Sequence, residues 1–247
     1  MRRLAVLFAL SVGLLSSAPV LAGEVSVAVA ANFTKPAEAL GAAFSAKSGD
    51  TVTFSFGATG ALYTQITQGA PFEVFLSADA KRPAMAVREG FGVEGSVFTY
   101  AVGKVVLYAP ALDVTDGAAM LKAGNFQKIA IADPSTAPYG AAAMEVIEKL
   151  GLTDALSPKL VTGENITQAL QFVESANAEL GFVALSQVID KPATQVWQVP
   201  EALYAPILQD AVLLKTGEAD LAAAAFLAFL QSAEAQAIIA SYGYDTN

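Results

Sequence analysis

Cysteine and histidine are both missing from this chain. Without cysteine there is no disulfide, no thiolate nucleophile and no thiol to carry a lipid. Without histidine the commonest general base and the commonest transition-metal ligand are gone. Basic residues are scarce as well, 14 Lys and Arg against 23 Asp and Glu, for a net charge of −9. That balance argues against nucleic acid and anionic lipid as partners. It also disfavours long-range capture of anions, so any anion site must work by local geometry. No stretch beyond the first residues is long and apolar enough to span a membrane. No Ser–Lys or carboxylate cluster stands out as a substitute catalytic set, so the expectation is a protein that is not an enzyme.

The N-terminus reads as a secretory signal over residues 1–22. Arg2 and Arg3 form its basic end, residues 4–15 its apolar core, and Val20-Leu21-Ala22 a small-residue cleavage site before Gly23. An uncleaved anchor is the alternative. Cleavage predicts an exported, periplasmic, soluble protein whose mature part does not insert into the membrane. Removing Arg2 and Arg3 leaves 12 basic side chains against 23 acidic ones, a net charge of −11.

After the signal, β-like runs alternate with Ala-rich helical patterns. Strands are expected at 25–31, 51–56, 73–77, 104–108, 128–132, 180–185, 195–199 and 205–214. Helices are expected at 36–46, 61–68, 81–89, 117–122, 139–150, 166–176, 218–231 and 233–241. The alternation implies an α/β fold with largely parallel sheets. Residues 98–110 read as two strand runs broken at Gly103, a place for the chain to cross between lobes, and the apolar run 205–214 offers a way back. Two crossings would make a hinge around a cleft; periodicity alone fits a single doubly wound sheet as well.

Two strand-to-helix junctions carry the functional signal, Ala30-Ala31-Asn32-Phe33-Thr34 and Ser55-Phe56-Gly57-Ala58-Thr59-Gly60. A helix start presents free N–H groups and the positive end of the helix dipole, which suits an anion. The side chains there, Asn32, Thr34 and Thr59, are neutral. Asn32 and Thr59 read either as ordinary helix caps or as donors to a bound oxyanion. Further on, Asp133-Pro134-Ser135-Thr136-Ala137-Pro138-Tyr139-Gly140 leads into a helix with Pro138 at its start. Tyr139 there either packs as an apolar wall or turns its hydroxyl into the cleft. Asn165 reads as the cap of a helix whose first free N–H belongs to Ile166.

In order along the chain, AANFT (30–34), SFGATGALYTQI with GAPFEVFLSAD (55–79), IADPSTAPYG (131–140), LSPKL followed by ENI (156–166) and ELGFVALS (179–186) resemble the periplasmic molybdate-binding proteins of ABC transporters. The resemblance covers essentially the whole mature chain, and residues 55–79 are its most specific part. It implies a two-lobed periplasmic binding protein of type II, with residues 23–102 and 207–247 in one lobe and 103–206 in the other. It implies molybdate or tungstate as cargo, no cofactor, an ABC permease in the inner membrane as partner, and a monomer. Carried onto this sequence, the first-lobe contacts fall on Asn32 and Thr59, with Ala31 as a backbone neighbour. Those of the second lobe fall on Tyr139 and on the backbone N–H of Ile166.

Many family members have serine at the positions of Asn32 and Thr59, alanine at that of Tyr139, and a tyrosine where this chain has Ala184. The expectation is that the phenol of Tyr139 supplies from another wall the donor that Ala184 lacks. Molybdate is a proton-free dianion bearing only acceptors, so a site of neutral donors satisfies it. Hydrogen phosphate would reward a carboxylate, and the nearest in sequence are Asp133 and Glu164. A binding protein for another tetrahedral oxyanion, sulfate or phosphate, is the alternative.

Overall fold

The computed structural model describes residues 23–246, so the signal-peptide expectation for residues 1–22 lies outside the described part. The chain runs β1 (Glu24–Ala30), a 3₁₀ turn (Ala31–Phe33), α1 (Thr34–Ser48), β2 (Thr51–Gly57), α2 (Thr59–Thr67), β3 (Val74–Leu76) and α3 (Lys81–Arg88). Then come β4 (Phe98–Gly103), β5 (Val105–Tyr108), α4 (Gly117–Ala123), β6 (Ile129–Ala132), α5 (Pro138–Lys149), α6 (Thr153–Leu156) and β7 (Leu160–Gly163). It ends with α7 (Ile166–Glu174), β8 (Leu180–Ala184), α8 (Leu185–Val188), β9 (Val196–Gln198), β10 (Ile207–Leu213), α9 (Leu221–Leu230) and α10 (Ala233–Ser241).

The strands form two five-stranded sheets, β2-β1-β3-β10-β4 and β7-β6-β8-β5-β9, each the centre of one lobe. A single doubly wound sheet is thereby ruled out. Each sheet has a parallel trio built from strand–helix–strand units, β2-β1-β3 and β7-β6-β8. Next to each trio lies an antiparallel strand, β10 or β5, paired on its other side with an antiparallel edge strand. The expectation of largely parallel sheets is therefore corrected. The antiparallel strands are the ones involved in crossing between lobes, and they enter their sheets from the hinge side.

The chain leaves the first sheet at Gly103 and enters the second at Val105, with Lys104 alone between them. It returns to the first sheet at Ile207, which pairs with Gly103 in register. The two crossings thus lie side by side. The C-terminal segment joins them, since Val102 and Asp245 exchange backbone hydrogen bonds of 2.8 and 3.1 Å, and Lys104 Nζ pairs with Asp245 at 2.7 Å.

Packing follows the apolar stripes. On one face of the first sheet, Phe44 of α1 meets Phe226 of α9 edge-on at 5.3 Å, with Leu230 and Ile239 buried nearby. Full burial of a side chain such as Phe226 contributes about 2–3 kcal/mol. The other face is covered by Leu62, Tyr63 and Ile66 of α2 and Ala86 of α3. In the second lobe, Val146 and Ile147 of α5 and Ala169 and Val173 of α7 pack around the fully buried β6 and β8. No single helix among the described residues is long and apolar enough to cross a membrane.

Candidate functional site

Each parallel trio ends with its strands pointing toward the other lobe, and the helices that follow begin there. Four such starts meet at one small cavity between the sheets. It is lined by Ala31 and Asn32 after β1, Ala58 and Thr59 at α2, Pro138 and Tyr139 at α5, and Asn165 and Ile166 at α7. The structure therefore brings together all five residues singled out in the sequence, Ala31, Asn32, Thr59, Tyr139 and Ile166. The cavity measures about 10 Å³, far below the few hundred Å³ of a pocket for an organic molecule. Among the described residues no charged side chain lines it.

Three of the four starts lack a side-chain cap. Their capping positions are Ala30, Ala58 and Ala137, and none makes a side-chain cap hydrogen bond. Alanine is among the poorest residues there because it has no acceptor for the free N–H groups. At the fourth, Asn165 Oδ1 accepts from the N–H groups of Thr167 and Gln168 at 3.0 and 3.1 Å, leaving that of Ile166 over. The backbone N–H groups of Thr59, Tyr139 and Ile166 have no hydrogen-bond partner among the described residues. Uncapped N–H groups with aligned dipoles, converging on a cavity without countercharge, are an arrangement that favours negative charge.

Thr59 adds a side-chain donor. Its Oγ1 accepts from the Ala78 N–H at 3.1 Å. With a lone pair so occupied, the hydroxyl proton is free to point elsewhere. The capping alternative for Asn32 and Thr59 does not hold. Thr59 is itself the first helical residue of α2, and α1 starts only after Phe33, so neither side chain caps.

One expectation about side chains needs correction, and Asn32 proves to be tied from behind as well as lining the cavity: its carboxamide lies 2.6 Å from that of Gln209 and 3.0 Å from Tyr244 Oη. The Tyr139 phenol does not replace a donor missing at Ala184. Its hydroxyl lies against Gly103 and Gln209, neither of them a lining residue, while its backbone N–H at the start of α5 has no partner among the described residues. Burial, reinforced by the neighbouring Tyr244, pushes the Tyr139 hydroxyl well above the usual tyrosine range, so it stays protonated. The two carboxylates nearest in sequence are turned away. Asp133 accepts from the Ser135 hydroxyl and N–H at 2.7 and 2.8 Å, which lowers its pKa, and Glu164 is exposed.

The lobes touch around the cavity. Gly60 N–H donates to Thr136 O across the cleft at 2.8 Å, Ser186 Oγ to Asn32 O at 2.9 Å, and Arg82, ion-paired to Asp79, to Ser135 O at 3.4 Å. A Cβ on Gly60 would come within 3.1 Å of Thr136 Cα and 2.7 Å of Arg82 Nη2, so glycine lets the two backbones approach without displacing either neighbour. Sequence reasoning missed Gln209, Tyr244 and Ser186, which surround Asn32 from distant parts of the chain.

Residues 25–245 match the family model described as bacterial extracellular solute-binding protein. A molybdate-binding protein ModA of Rhodobacter capsulatus is 60% identical over 92% of this chain and 90% of its own length. The chain belongs to this solute-binding family, as a protein of the ModA type. A ModA of Azotobacter vinelandii is 52% identical over 96% of this chain and 95% of its own length. The solved periplasmic molybdate-binding protein of Azotobacter vinelandii superposes with a TM-score of 0.86 at 37% identity, covering 90% of this chain and 99% of that one. Members of the family are binding proteins, and so is this chain; it is not an enzyme. The family is extracytoplasmic, and the two-lobed fold agrees with it.

Proposed function

We propose that the protein captures molybdate in the periplasm between its two lobes and hands it to an ABC permease of the inner membrane. The observation that carries this reading is the convergence of four helix starts, three with alanine caps, on a cavity that no charged side chain among the described residues lines. The donors assigned to the anion are the Thr59 hydroxyl and N–H, the backbone N–H groups of Tyr139 and Ile166, and Asn32, with Ala31 beside it. Residues 23–102 and 207–247 form one lobe in this reading and 103–206 the other, in keeping with the neighbouring crossings at Gly103 and Ile207. Residues 1–22 serve as the export signal.

A hydrogen bond to an ion contributes roughly 1.5–3 kcal/mol, so five or six such bonds suffice for tight capture without a countercharge. Tungstate, of the same charge and shape, is expected to bind as well. Every donor comes from one chain, so a monomer suffices. Binding must favour the closed lobes over the open ones, and closure is then what the permease reads.

Thermal unfolding of the mature protein with each anion tests the reading, because a ligand that binds only the folded state raises its stability. Molybdate and tungstate are expected to raise the melting temperature. A rise with sulfate or phosphate and none with molybdate overturns the assignment.

A further inference from the structure

Asn32 sits in a buried polar cluster that joins the lobes at the hinge. Besides Gln209 and Tyr244 from its own lobe, the cluster holds Ser186 and Tyr139 from the other. Tyr244 Oη lies 2.9 Å from both Asn32 O and Ser186 Oγ. Among the described residues, two buried side-chain atoms find no partner, Tyr139 Oη and Gln209 Nε2. Both lie against Gly103: a Cβ there would be 2.1 Å from the first and 3.4 Å from the second. A hydroxyl and an NH₂ thus face the same backbone, with the Tyr244 hydroxyl near both and neither atom in good hydrogen-bond geometry with a partner.

The two ends of a carboxamide have the same shape, and hydrogen bonding alone decides which is which. Turning Asn32 and Gln209 together keeps their mutual bond and reverses its direction, Gln209 Nε2 now donating to Asn32 Oδ1. The Gln209 oxygen then faces the side where the Tyr139 hydroxyl lacks an acceptor. Tyr244 gives its proton to Asn32 Oδ1, while Ser186 still donates to Asn32 O. The Asn32 NH₂, no longer held by Gln209 and Tyr244, is turned to the end of the carboxamide that has no protein partner. Asn32 is a lining residue, so this arrangement adds a donor for a proton-free anion. The opposite one would offer it a repelling lone pair.

We propose that Gln209, backed by Tyr244 and the Tyr139 hydroxyl, is a positioning residue that sets which end of Asn32 faces the anion. The inference rests on the anion-site reading above. It gives the buried glutamine of β10 and the phenol of Tyr139 a task that neither performs by touching the ligand.

The test is a double-mutant cycle of Asn32→Ala and Gln209→Met, read by calorimetric titration with sodium molybdate, with melting temperatures of the ligand-free variants checking that each folds. Each single change is expected to weaken binding about tenfold, and the double variant to bind no worse than Asn32→Ala, because Gln209 acts through Asn32. Unchanged affinity in Gln209→Met, or losses that multiply in the double variant, overturns the proposal. In ¹⁵N-labelled wild-type protein the Asn32 side-chain NH₂ signals are expected to shift on molybdate addition, a readout that survives even if Gln209→Met fails to fold; unmoved signals overturn the proposal. Wild-type protein that takes up no molybdate overturns the site reading itself and this inference with it.

Discussion

The two lobes have the same sheet plan and contribute to the cavity in different ways. The first brings side chains, the Thr59 hydroxyl and the Asn32 carboxamide, beside its backbone. The second brings only backbone, the N–H groups of Tyr139 and Ile166. The Asn165 side chain at the site caps its own helix, and the Tyr139 phenol turns back to Gly103. A hydroxyl or an amide can be exchanged for another donor by mutation. A backbone N–H survives every substitution but proline.

That difference makes Ile166→Pro the most damaging change expected at the site. Ile166 is the first residue of α7, where proline suits a helix, and Asn165 before it is already extended at φ −149° and ψ 176°, as proline requires. The helix should survive while one donor disappears, weakening molybdate binding by roughly 10- to 100-fold. Ile166→Ala keeps the N–H and should bind nearly as wild type in the same calorimetric titration. If the two variants bind alike, the second lobe does not act through this backbone group.

Thr59→Val tests the other half. It removes the hydroxyl at nearly constant volume and is expected to cost about tenfold in affinity, with some stability lost at the Ala78 N–H. Thr59→Ser should retain both functions. A smaller effect is expected from Asn165→Ala, about 1 kcal/mol in unfolding experiments, with molybdate affinity changed far less than in Thr59→Val. An equal loss of affinity would mean that the cap and the ligand donors are not separate.

The least effect is expected from pH. Among the described residues no carboxylate lines the cavity, and burial raises the Tyr139 and Tyr244 phenols above the usual tyrosine range. Affinity should stay flat from about pH 6 to pH 9. A phenol whose pKa is raised by folding contributes stability that is complete below its unfolded value of about 10 and is lost as the pH rises through the folded one. Loss of binding between pH 6 and 9 would point to a titrating group that the described site lacks.

Much of the first-lobe half was legible because its donors are side chains at strand-to-helix junctions, and Ile166 became visible through its Asn165 cap. Gln209, Tyr244 and Ser186 were not legible. They reach Asn32 from 177, 212 and 154 residues away, and nothing local in β10 or the C-terminal segment distinguishes them. The direction of the Tyr139 side chain was misread for a similar reason: it depends on Gly103, at the crossing. β7 was missed because it is four residues long and follows Pro158 and Lys159, and α6 and α8 are single turns that leave no periodic trace. The antiparallel courses of β5 and β10 follow from where the chain crosses between lobes, which apolar alternation does not record.

Whether neutral helix starts from both lobes hold the anion between them can be read by locating molybdenum through its anomalous scattering in crystals of the molybdate complex. One strong peak is expected between Thr59 of one lobe and Tyr139 and Ile166 of the other, with their N–H groups directed at the oxygens. A peak elsewhere, or one beside a lysine or arginine side chain, would contradict that placement.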